Sequence, residues 1–320
     1  MLRNVILTIL GLVSLLALGC SNQAMNLDKE LIIYAPVEPV LADSLRQAFS
    51  LAHPEVRLQL VSQQQEYQAD LVLAGEELLR QYKEEAKLQC LTHQPQGGLW
   101  GDEEGYWENF FYDPAVLLIN QHFARQVGQK HLRSWSDLAR LEQGRIVVEN
   151  LTNSASTRNF LGSWASYQGE EEAMTSLGKL DRHISQYVQL PFSPVRMVAV
   201  GDADIAITRQ SYLAKYLESS CPAYVVLPQE GTPVNLYGVA LLSQCRNVAT
   251  AQLFFNWLRK EACQSMAAQE QETGYLFLAN LQGQAVTPKQ LWQNSEYLNL
   301  EQLQKLSEQW LQSVRFGARS

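Results

Sequence analysis

The sequence has no run of basic residues, and its 25 lysines and arginines are outnumbered by 33 aspartates and glutamates. The formal net charge is therefore −8. Proteins that hold nucleic acid through its phosphates concentrate basic side chains on one face or along one helix. The composition argues against a nucleic-acid partner.

The short motifs of common catalytic and nucleotide-binding sites are also absent, since there is no GxSxG, HExxH, GxxxxGKS/T or GxGxxG. The five histidines have no metal-ligand spacing, and the neighbouring carboxylates stand in runs that are typical of solvated faces. We therefore expect no enzyme activity, no resident metal and no cofactor.

Long apolar runs are missing except at the N-terminus, where Arg3 precedes an uncharged stretch from Val5 to Leu18. This stretch is short for a bilayer span. Gly19 and Cys20 follow it and resemble the lipobox of bacterial lipoproteins. An ordinary signal peptide and an uncleaved anchor are the alternatives.

The favoured interpretation is a signal peptide over residues 1–19, lipidation of Cys20 and a lipidated N-terminal tether over residues 20–30. The mature chain of about 300 residues would then lie outside the cytoplasm, in the periplasm or on the outer face of the cell membrane. Its length predicts two domains, or two lobes that share a core.

Cysteine is scarce, and none of the five cysteines belongs to a CxxC pair, so a zinc cluster is not expected. Cys90, Cys221, Cys245 and Cys263 remain after Cys20 and form an even number in a compartment that permits disulfides. The short, turn-rich segment between Cys221 and Cys245 favours that pair. Four free buried thiols are the alternative.

Strand and helix patterns alternate in the first part of the mature chain. Leu31–Ala35 has the composition of a strand and is followed by a helical pattern from Val40 to Leu51. Two further strand patterns, Val56–Val61 and Ala69–Ala74, lead to a helical pattern at Glu77–Lys87. This alternation predicts a doubly wound α/β lobe.

Ligands of such sheets lie beyond the carboxyl ends of the strands. In this lobe those ends are followed by Glu38 and by Gly75 and Glu76. These three residues are therefore candidate ligand contacts, and the two carboxylates would suit a ligand amine or a cation.

The stretch Arg145–Tyr167, RIVVENLTNSASTRNFLGSWASY, has the pattern of a strand, a loop and a helix. A helix start offers unpaired N–H groups and the positive end of the helix dipole, which suit an anion. The loop before the helix contains Asn153, Ser154, Ala155 and Ser156. Simple capping of the helix by these small polar residues is the alternative explanation.

Several segments resemble the bacterial extracellular solute-binding proteins, which deliver ligands to ABC importers. LIIYAPVEPVLADSLRQAFSLAHPEVRLQLV and ADLVLAGEELLRQYKEEAKLQCL are similar to the start of that family. The segment from Ser134 to Leu180 resembles the part of the ferric-iron and phosphonate branch that carries a small-residue anion loop. VAVGDADIAITRQSYLAKYL and EGTPVNLYGVALLSQCRNVATAQLFFNWL resemble later segments of the same branch.

The resemblance implies an α/β fold of the type 2 periplasmic-binding-protein kind, with two doubly wound α/β lobes joined by two crossover strands. Ala115–Asn120 and Val234–Leu242 have the apolar runs expected of the crossovers. Lobe 1 would then comprise residues 31–120 and 234–320, and lobe 2 residues 121–233.

The chain departs from the iron binders of that branch, which place two adjacent tyrosines where this chain has Ser211 and Tyr212. Arg209 stands just before this pair. Because a ferric ion prefers phenolate and carboxylate oxygens, one phenolate beside a guanidinium argues against a ferric site. Tyr216, one helical turn after Tyr212, is the residue from which a two-tyrosine site could be rebuilt.

Aromatic residues are dense between Cys90 and Tyr112, in a segment rich in glycine and acidic residues. They could stack on an organic ligand or line a cleft. They could equally cover the end of the sheet.

Together these features predict an extracytoplasmic solute-binding lipoprotein that closes its two lobes on a small anionic ligand for an ABC importer. Arg209, Ser211 and Tyr212 would join the loop before the helix in holding the anion. The expected partners are the small-molecule ligand, the importer permease and a membrane reached through the lipid anchor, and the chain is expected to be a monomer. The alternatives are a binding protein for ferric iron, with or without an anion, and a ligand-sensing adaptor for a membrane kinase.

Overall fold

The computed structural model describes residues 30–61, 63–93, 95, 97–127, 132–216, 221–266, 270, 273–283 and 287–317. The predicted signal peptide at 1–19, Cys20 and all of the predicted tether except Glu30 lie outside these ranges. Within them, none of the helices combines the length and the apolar character that a bilayer span needs.

Strands and helices alternate through most of the described chain. The strands are β1 Glu30–Tyr34, β2 Arg57–Val61, β3 Leu71–Gly75, β4 Leu88–Gln89, β5 Trp107–Asn120, β6 Ile146–Glu149, β7 Ile184–Val188, β8 Ile205–Arg209, β9 Ala223–Val226, β10 Thr232–Leu242, β11 Leu276–Phe277 and β12 Leu291–Trp292. The helices are α1 Pro39–Ala52, α2 Glu76–Glu84, α3 Gln121–Val127, α4 Trp135–Leu138, α5 Ala155–Gln168, α6 Glu170–Asp181, α7 Ser193–Val200, α8 Gln210–Tyr216, α9 Val248–Trp257, α10 Cys263–Ser265 and α11 Leu300–Trp310.

The strands lie in the order β2-β1-β3-β10-β5-β8-β6-β7. In the first lobe β2 and β3 run parallel to β1, and in the second lobe β7 and β8 run parallel to β6. Side chains alternate between the two faces of each strand, so that in β3 Leu71 and Leu73 join one buried cluster while Val72 and Ala74 join another. The predicted α/β fold with two doubly wound lobes is confirmed.

Two long strands, β5 and β10, connect the lobes. They pair with each other from Pro114 and Val234 to Trp107 and Ala240, and the remainder of β5, from Ala115 onward, pairs with β8 in the second lobe. The return crossover ends at the predicted Leu242 but begins at Thr232, two residues before the predicted Val234, and β5 begins at Trp107, ahead of the predicted start at Ala115.

This early start places the aromatic segment in the sheet. Trp107, Phe110, Phe111 and Tyr112 belong to β5 and are buried. None of the four lines the two interlobe cavities described below. Phe110, Phe111 and Tyr112 therefore belong to the buried core, whereas Trp107, together with Tyr106, lines a further open cavity of about 720 Å³.

Two prolines mark the point where the crossover strands leave the first lobe. Pro114 of β5 lies opposite Val234, and Pro233 precedes Val234 in β10. Because proline has no N–H to donate, the ladder loses main-chain hydrogen bonds at this point. The Thr232 hydroxyl instead donates to the carbonyl oxygen of Ala115 at 2.6 Å.

The C-terminal helix α11 packs on the second lobe. Leu306, Trp310 and Val314 share a buried cluster with Leu161 and Trp164 of α5. The predicted inclusion of residues 234–320 in lobe 1 is therefore wrong for this helix. The apolar face of α11 was recognisable from its spacing, but spacing does not specify which lobe that face contacts.

In the described part of the chain, Cys90, Cys221, Cys245 and Cys263 form no disulfide. The favoured pairing of Cys221 with Cys245 is wrong because the two residues lie in different lobes. Cys221 precedes β9, which pairs with the far end of β5, whereas Cys245 packs against the core of the first lobe.

Candidate functional site

Two adjoining cavities lie between the lobes. The inner cavity, of about 40 Å³, is lined by residues of the second lobe and the crossover strands, including Asp113, Glu149, Ser156, Arg209 and Tyr212. The outer cavity, of about 300 Å³, lies between the segment 74–78 of the first lobe and α5 of the second. Ser156 and Asn235 line both cavities, which makes the two cavities neighbours.

The start of α5 forms one wall of both cavities. The Thr157 N–H donates to Ser154 Oγ at 3.2 Å, and the Ser154 N–H donates to Thr157 Oγ1 at 2.9 Å. This reciprocal capping occupies the Ser154 hydroxyl. The backbone N–H groups of Ala155 and Ser156, in the first turn of α5, have no acceptor within the helix. The Ser156 hydroxyl accepts a hydrogen bond from Asn235 Nδ2 at 2.5 Å.

Asn153, the first residue of the predicted anion loop, is tied to its own lobe. Its side-chain amide donates to the carbonyl oxygen of Gln189 at 2.7 Å and to Glu149 Oε1 at 3.3 Å. Asn153 lines neither cavity. The predicted loop thus brings Ser156 and Ala155 to the cavities and uses Asn153 and Ser154 to hold its own shape.

Arg209, at the end of β8, supplies the positive charge of the inner cavity. Its guanidinium lies 3.9 Å from Asp113 Oδ2, donates to Tyr237 Oη at 3.4 Å and stacks 4.2 Å from the ring centre of Tyr212. Burial acts to lower the pKa of Arg209, but Tyr237 and Asp113 raise it above its usual value. The side chain therefore stays charged, with only 17% of its surface exposed.

Asp113 is fully buried in β5 and lines the inner cavity beside Arg209. Its carboxylate accepts hydrogen bonds from the Ser211 N–H at 2.9 Å and from the Ser211 hydroxyl at 2.7 Å. Burial raises the pKa of Asp113, although Arg209 and Ser211 act against this rise. Ser211, a predicted ligand contact, thus binds Asp113 and lines neither cavity.

Glu149, the last residue of β6, brings a second carboxylate to the inner cavity. Only 7% of its surface is exposed. Burial raises the pKa of Glu149, while Asn153 and Arg209 act in the opposite direction. The inner cavity therefore combines one cation with two carboxylates whose ionised forms are disfavoured by burial.

The tyrosines near Arg209 differ in their surroundings. Tyr212 lines the inner cavity under the guanidinium. Tyr237 packs edge to face against Tyr275, with ring centres 5.0 Å apart, and burial raises the pKa of Tyr237. The side chain of Tyr216 lies outside the described part of the structure, so its role in a rebuilt tyrosine pair stays a prediction.

The predicted contacts of the first lobe are dispersed. Gly75 and Glu76 line the outer cavity, where Glu76 pairs with Arg80 at 2.7 Å and accepts a hydrogen bond from Asn109 at 2.7 Å. Glu38 precedes α1 and lines neither cavity, but its charge acts to raise the pKa of Asp113. Glu76 is thus positioned near a ligand, with its carboxylate already paired.

The lining residues that were not identified from the sequence include Asp113, Glu149 and Asn235. Asp113 and Glu149 each interrupt or end a strongly apolar strand, a signal that could have drawn attention to them. Asn235 gave no such signal, because its position beside Ser156 depends on how β10 meets α5.

Solved structures with this fold include three binding proteins. The periplasmic binding protein AfuA from Actinobacillus pleuropneumoniae, with exogenous fructose-6-phosphate bound, has a TM-score of 0.68 and 19% identity over 90% of this chain and 99% of its own. Ferric iron-binding protein A of Mannheimia haemolytica, in an open conformation, has a TM-score of 0.69 and 15% identity over 90% of this chain and 99% of its own. The Trichodesmium protein IdiA (FutA), in complex with iron and citrate, has a TM-score of 0.64 and 16% identity over 91% of this chain and 98% of its own. At these identities the likeness concerns the fold.

Two curated relatives match part of the sequence. An uncharacterized protein of Haemophilus influenzae is 27% identical over 62% of this chain and 60% of its own length. Iron uptake protein A1 of Synechocystis is 25% identical over 52% of this chain and 49% of its own length. The chain thus spans about half to three fifths of the length of these relatives.

The sequence profile of one family covers most of the chain. Residues 41–271 match the bacterial extracellular solute-binding proteins. This range includes most of the first lobe, both crossover strands and the start of α5. The chain therefore belongs to the bacterial extracellular solute-binding proteins, which are binding proteins rather than enzymes.

Proposed function

We propose that this protein captures a small anionic ligand between its lobes and delivers it to the permease of an ABC importer. The observation that carries the proposal is the buried, charged Arg209 in a cavity that also contains the start of α5. Hydrogen bonds from a guanidinium to an anion are strong, and a helix start adds N–H donors without another formal charge.

The carboxylate of Asp113 does not cancel this preference. Both of its oxygens accept hydrogen bonds from Ser211, and it lies 3.9 Å from Arg209. The guanidinium therefore has a fixed partner while it also lines the cavity. Such pre-positioned donors favour an anion because little ordering remains to be done on binding.

The sizes of the cavities suggest how a ligand would be divided between them. A single water molecule needs a cavity volume of about 10–15 Å³. The inner cavity, of about 40 Å³, therefore has room for a small anionic group such as a phosphate or carboxylate. The outer cavity, of about 300 Å³, would take the remainder of an organic molecule. AfuA, a protein of the same fold, has fructose-6-phosphate bound, a ligand that combines an anionic group with a larger organic part.

Contacts across the outer cavity support closure of the lobes around a ligand. Arg158 of α5 lies 3.8 Å from Glu77 of α2, and Asn159 donates to Asn235 Oδ1 at 2.7 Å. Rotation about the crossover strands at Pro114 and Pro233 would open the ion pair while leaving both lobe cores intact.

A ligand screen by thermal shift, followed by calorimetry, tests the proposal. Phosphate esters, phosphonates and small carboxylates are the compounds to be screened. Arg209→Met should abolish binding of the selected anion, and Arg209→Lys should weaken it by retaining the charge without the planar fork. Arg196→Met, which removes an exposed arginine of α7, is the matched control and should bind normally. Normal binding by Arg209→Met would refute the proposal.

Iron remains the second candidate because Tyr212, Tyr237, Asp113 and Glu149 surround Arg209 with oxygen ligands. The charge of Arg209 and the raised pKa of Tyr237 both oppose a ferric phenolate. Titration with ferric citrate should therefore leave the protein colourless. A stoichiometric visible charge-transfer band that is lost in Tyr212→Phe would support the iron candidate instead.

The lipid anchor is a separate part of the proposal and depends on the lipobox-like Gly19 and Cys20. Cys20→Ala should give an unprocessed or a soluble protein, whereas Ser21→Ala should be processed and retained on the membrane. Cell fractionation and the mass of the purified chain distinguish these forms. Membrane retention of a cleaved Cys20→Ala protein would contradict lipidation.

A further inference from the structure

We propose that the second lobe contains a further binding site, for a small aromatic carboxylate, apart from the two interlobe cavities. The site is a cavity of about 250 Å³ whose walls come from α4, α5, α6, β12 and the segment that leads into β10. None of the residues that line it lines either interlobe cavity. The proposal therefore goes beyond the capture of a ligand between the lobes.

The volume of this cavity is the first observation. It approaches that of the outer interlobe cavity, which is about 300 Å³. Close-packed protein interiors leave few voids larger than a water molecule, and one water needs about 10–15 Å³. The cavity therefore has room for an organic molecule with an aromatic ring.

Three tryptophans give the cavity an apolar wall: Trp135, Trp164 and Trp292. Trp164 lies between the other two, with ring centres 4.9 Å from Trp135 and 5.3 Å from Trp292. Trp135 Nε1 donates to the carbonyl oxygen of Gly231 at 2.9 Å, and Trp292 stacks on Tyr167 with ring centres 4.2 Å apart. These contacts hold the wall in place, and indole rings favour contact with another aromatic ring.

The charges that line the cavity are the third observation. Arg140 follows α4, and Lys179 lies in the last turn of α6. Within the described ranges neither cation forms an ion pair. The third charge is Glu230, whose Oε1 accepts a hydrogen bond from the Ser136 N–H at 3.3 Å. The cavity thus has an excess of one positive charge, in a chain whose formal net charge is −8.

The class of ligand follows from the wall and the charges together. Binding cavities are mostly apolar and fix a ligand's orientation with a small number of polar groups. An aromatic ring would lie against the indoles, and a carboxylate on that ring would accept charge-assisted hydrogen bonds from Arg140 and Lys179. A neutral ring would lack these bonds, and an organic cation would meet two like charges. The cavity therefore favours an aromatic carboxylate.

The test titrates the full chain, in detergent, with benzoate, benzamide and benzylamine, which share one ring and differ in charge. Tryptophan fluorescence reports binding, because three of the seven tryptophans line the cavity. Benzoate should bind about tenfold more tightly than benzamide, since it adds two ion pairs with partly exposed cations. Benzylamine should bind more weakly than both.

Variants locate the binding. Arg140→Met and Lys179→Met should each weaken benzoate binding about two- to fivefold, and the double variant should bind benzoate and benzamide equally. Arg182→Met, the matched control, removes an exposed cation directly after α6 that does not line the cavity, and it should bind benzoate normally. Ser176→Phe introduces a ring at a lining position and should abolish binding of both compounds. Circular dichroism checks that each variant is folded.

Arg209→Met separates this site from the proposed ligand site, because it removes the cation of the inner cavity. It should leave benzoate binding unchanged while it abolishes capture of the anion between the lobes, so either proposal can fail alone. The inference is overturned if benzoate does not bind or if benzamide binds as tightly. It is equally overturned if the double variant keeps the preference for benzoate, or if Arg209→Met abolishes benzoate binding.

Discussion

Ser211 and Asp113 are joined by two hydrogen bonds, of 2.9 and 2.7 Å, that fasten the start of α8 to the middle of the first crossover strand. Asp113 lies 3.9 Å from Arg209, so the same carboxylate connects the crossover strand to the cation of the inner cavity. The position of Arg209 therefore depends on a carboxylate that Ser211 holds in place.

Ser211→Ala should lower both stability and anion affinity. Removing the hydroxyl leaves one oxygen of a buried carboxylate with less than its full set of donors, at a cost of about 1–3 kcal/mol in the free energy of unfolding. Urea titration measures this loss. Ser136→Ala, which removes an exposed hydroxyl in the second lobe, should lie within about 0.5 kcal/mol of the wild type. An unchanged stability of Ser211→Ala would show that the two hydrogen bonds are dispensable.

The start of α5 can be tested at its N-cap residue, Ser154. Ser154→Ala should lose about 0.5–2 kcal/mol of stability and bind the anion nearly normally, because the Ser154 hydroxyl serves the helix. Ser154→Asp retains a good cap but adds a negative charge near the cavity, which should weaken anion binding roughly tenfold or more. Equal affinity of the Asp variant and the wild type would exclude the helix start from the site.

The raised pKa of Glu149 predicts a stability that depends on pH. A carboxyl with a raised pKa in the folded protein binds its proton more tightly there than in the unfolded chain, so its ionisation destabilises the fold as the pH rises. Glu149→Gln should therefore stabilise the ligand-free protein at about pH 7 and have little effect at about pH 4. Unfolding titrations at the two pH values provide the comparison. If Glu149→Gln stabilised the protein more at about pH 4 than at about pH 7, the pKa of Glu149 would be lowered rather than raised in the folded protein.

Removal of Trp310 should destabilise the second lobe. Its side chain is 1% exposed and packs against Tyr187 with ring centres 5.6 Å apart. Trp310→Ala should cost about 3–5 kcal/mol, whereas Leu300→Ala, on the same helix but 47% exposed, should cost little. Amide hydrogen exchange should become faster in β6 and stay unchanged in β1. Of these two strands, β6 shares a buried cluster with Trp310 and β1 does not. Equal loss in both strands would mean that the lobes unfold together.

The local patterns of the sequence predicted most elements of the fold. The strand at Leu31–Ala35 and the helix at Val40–Leu51 were each found within about one residue of β1 and α1. Alternating and helical apolar spacing suffices for such elements because each buries one face locally. The start of β5 was missed, since a fully buried crossover strand of mixed aromatic and polar residues has no simple period.

The candidate site was harder to predict than the fold. Arg209 and Ser156 were identified because their residue types have an obvious use for an anion. The pairing of Ser211 with Asp113 and of Asn235 with Ser156 joins residues far apart in the chain, and no local pattern encodes these contacts. The docking of α11 on the second lobe belongs to the same class of long-range contact.

That docking has a consequence for the order in which the molecule is assembled. The second lobe begins near Phe123, yet its core is filled only when Trp310 and Val314 reach it from the far end of the chain. Contacts between residues so distant in sequence form late, because the intervening chain must first be brought together. The buried cluster of the second lobe therefore cannot be complete until nearly the whole polypeptide has been synthesised.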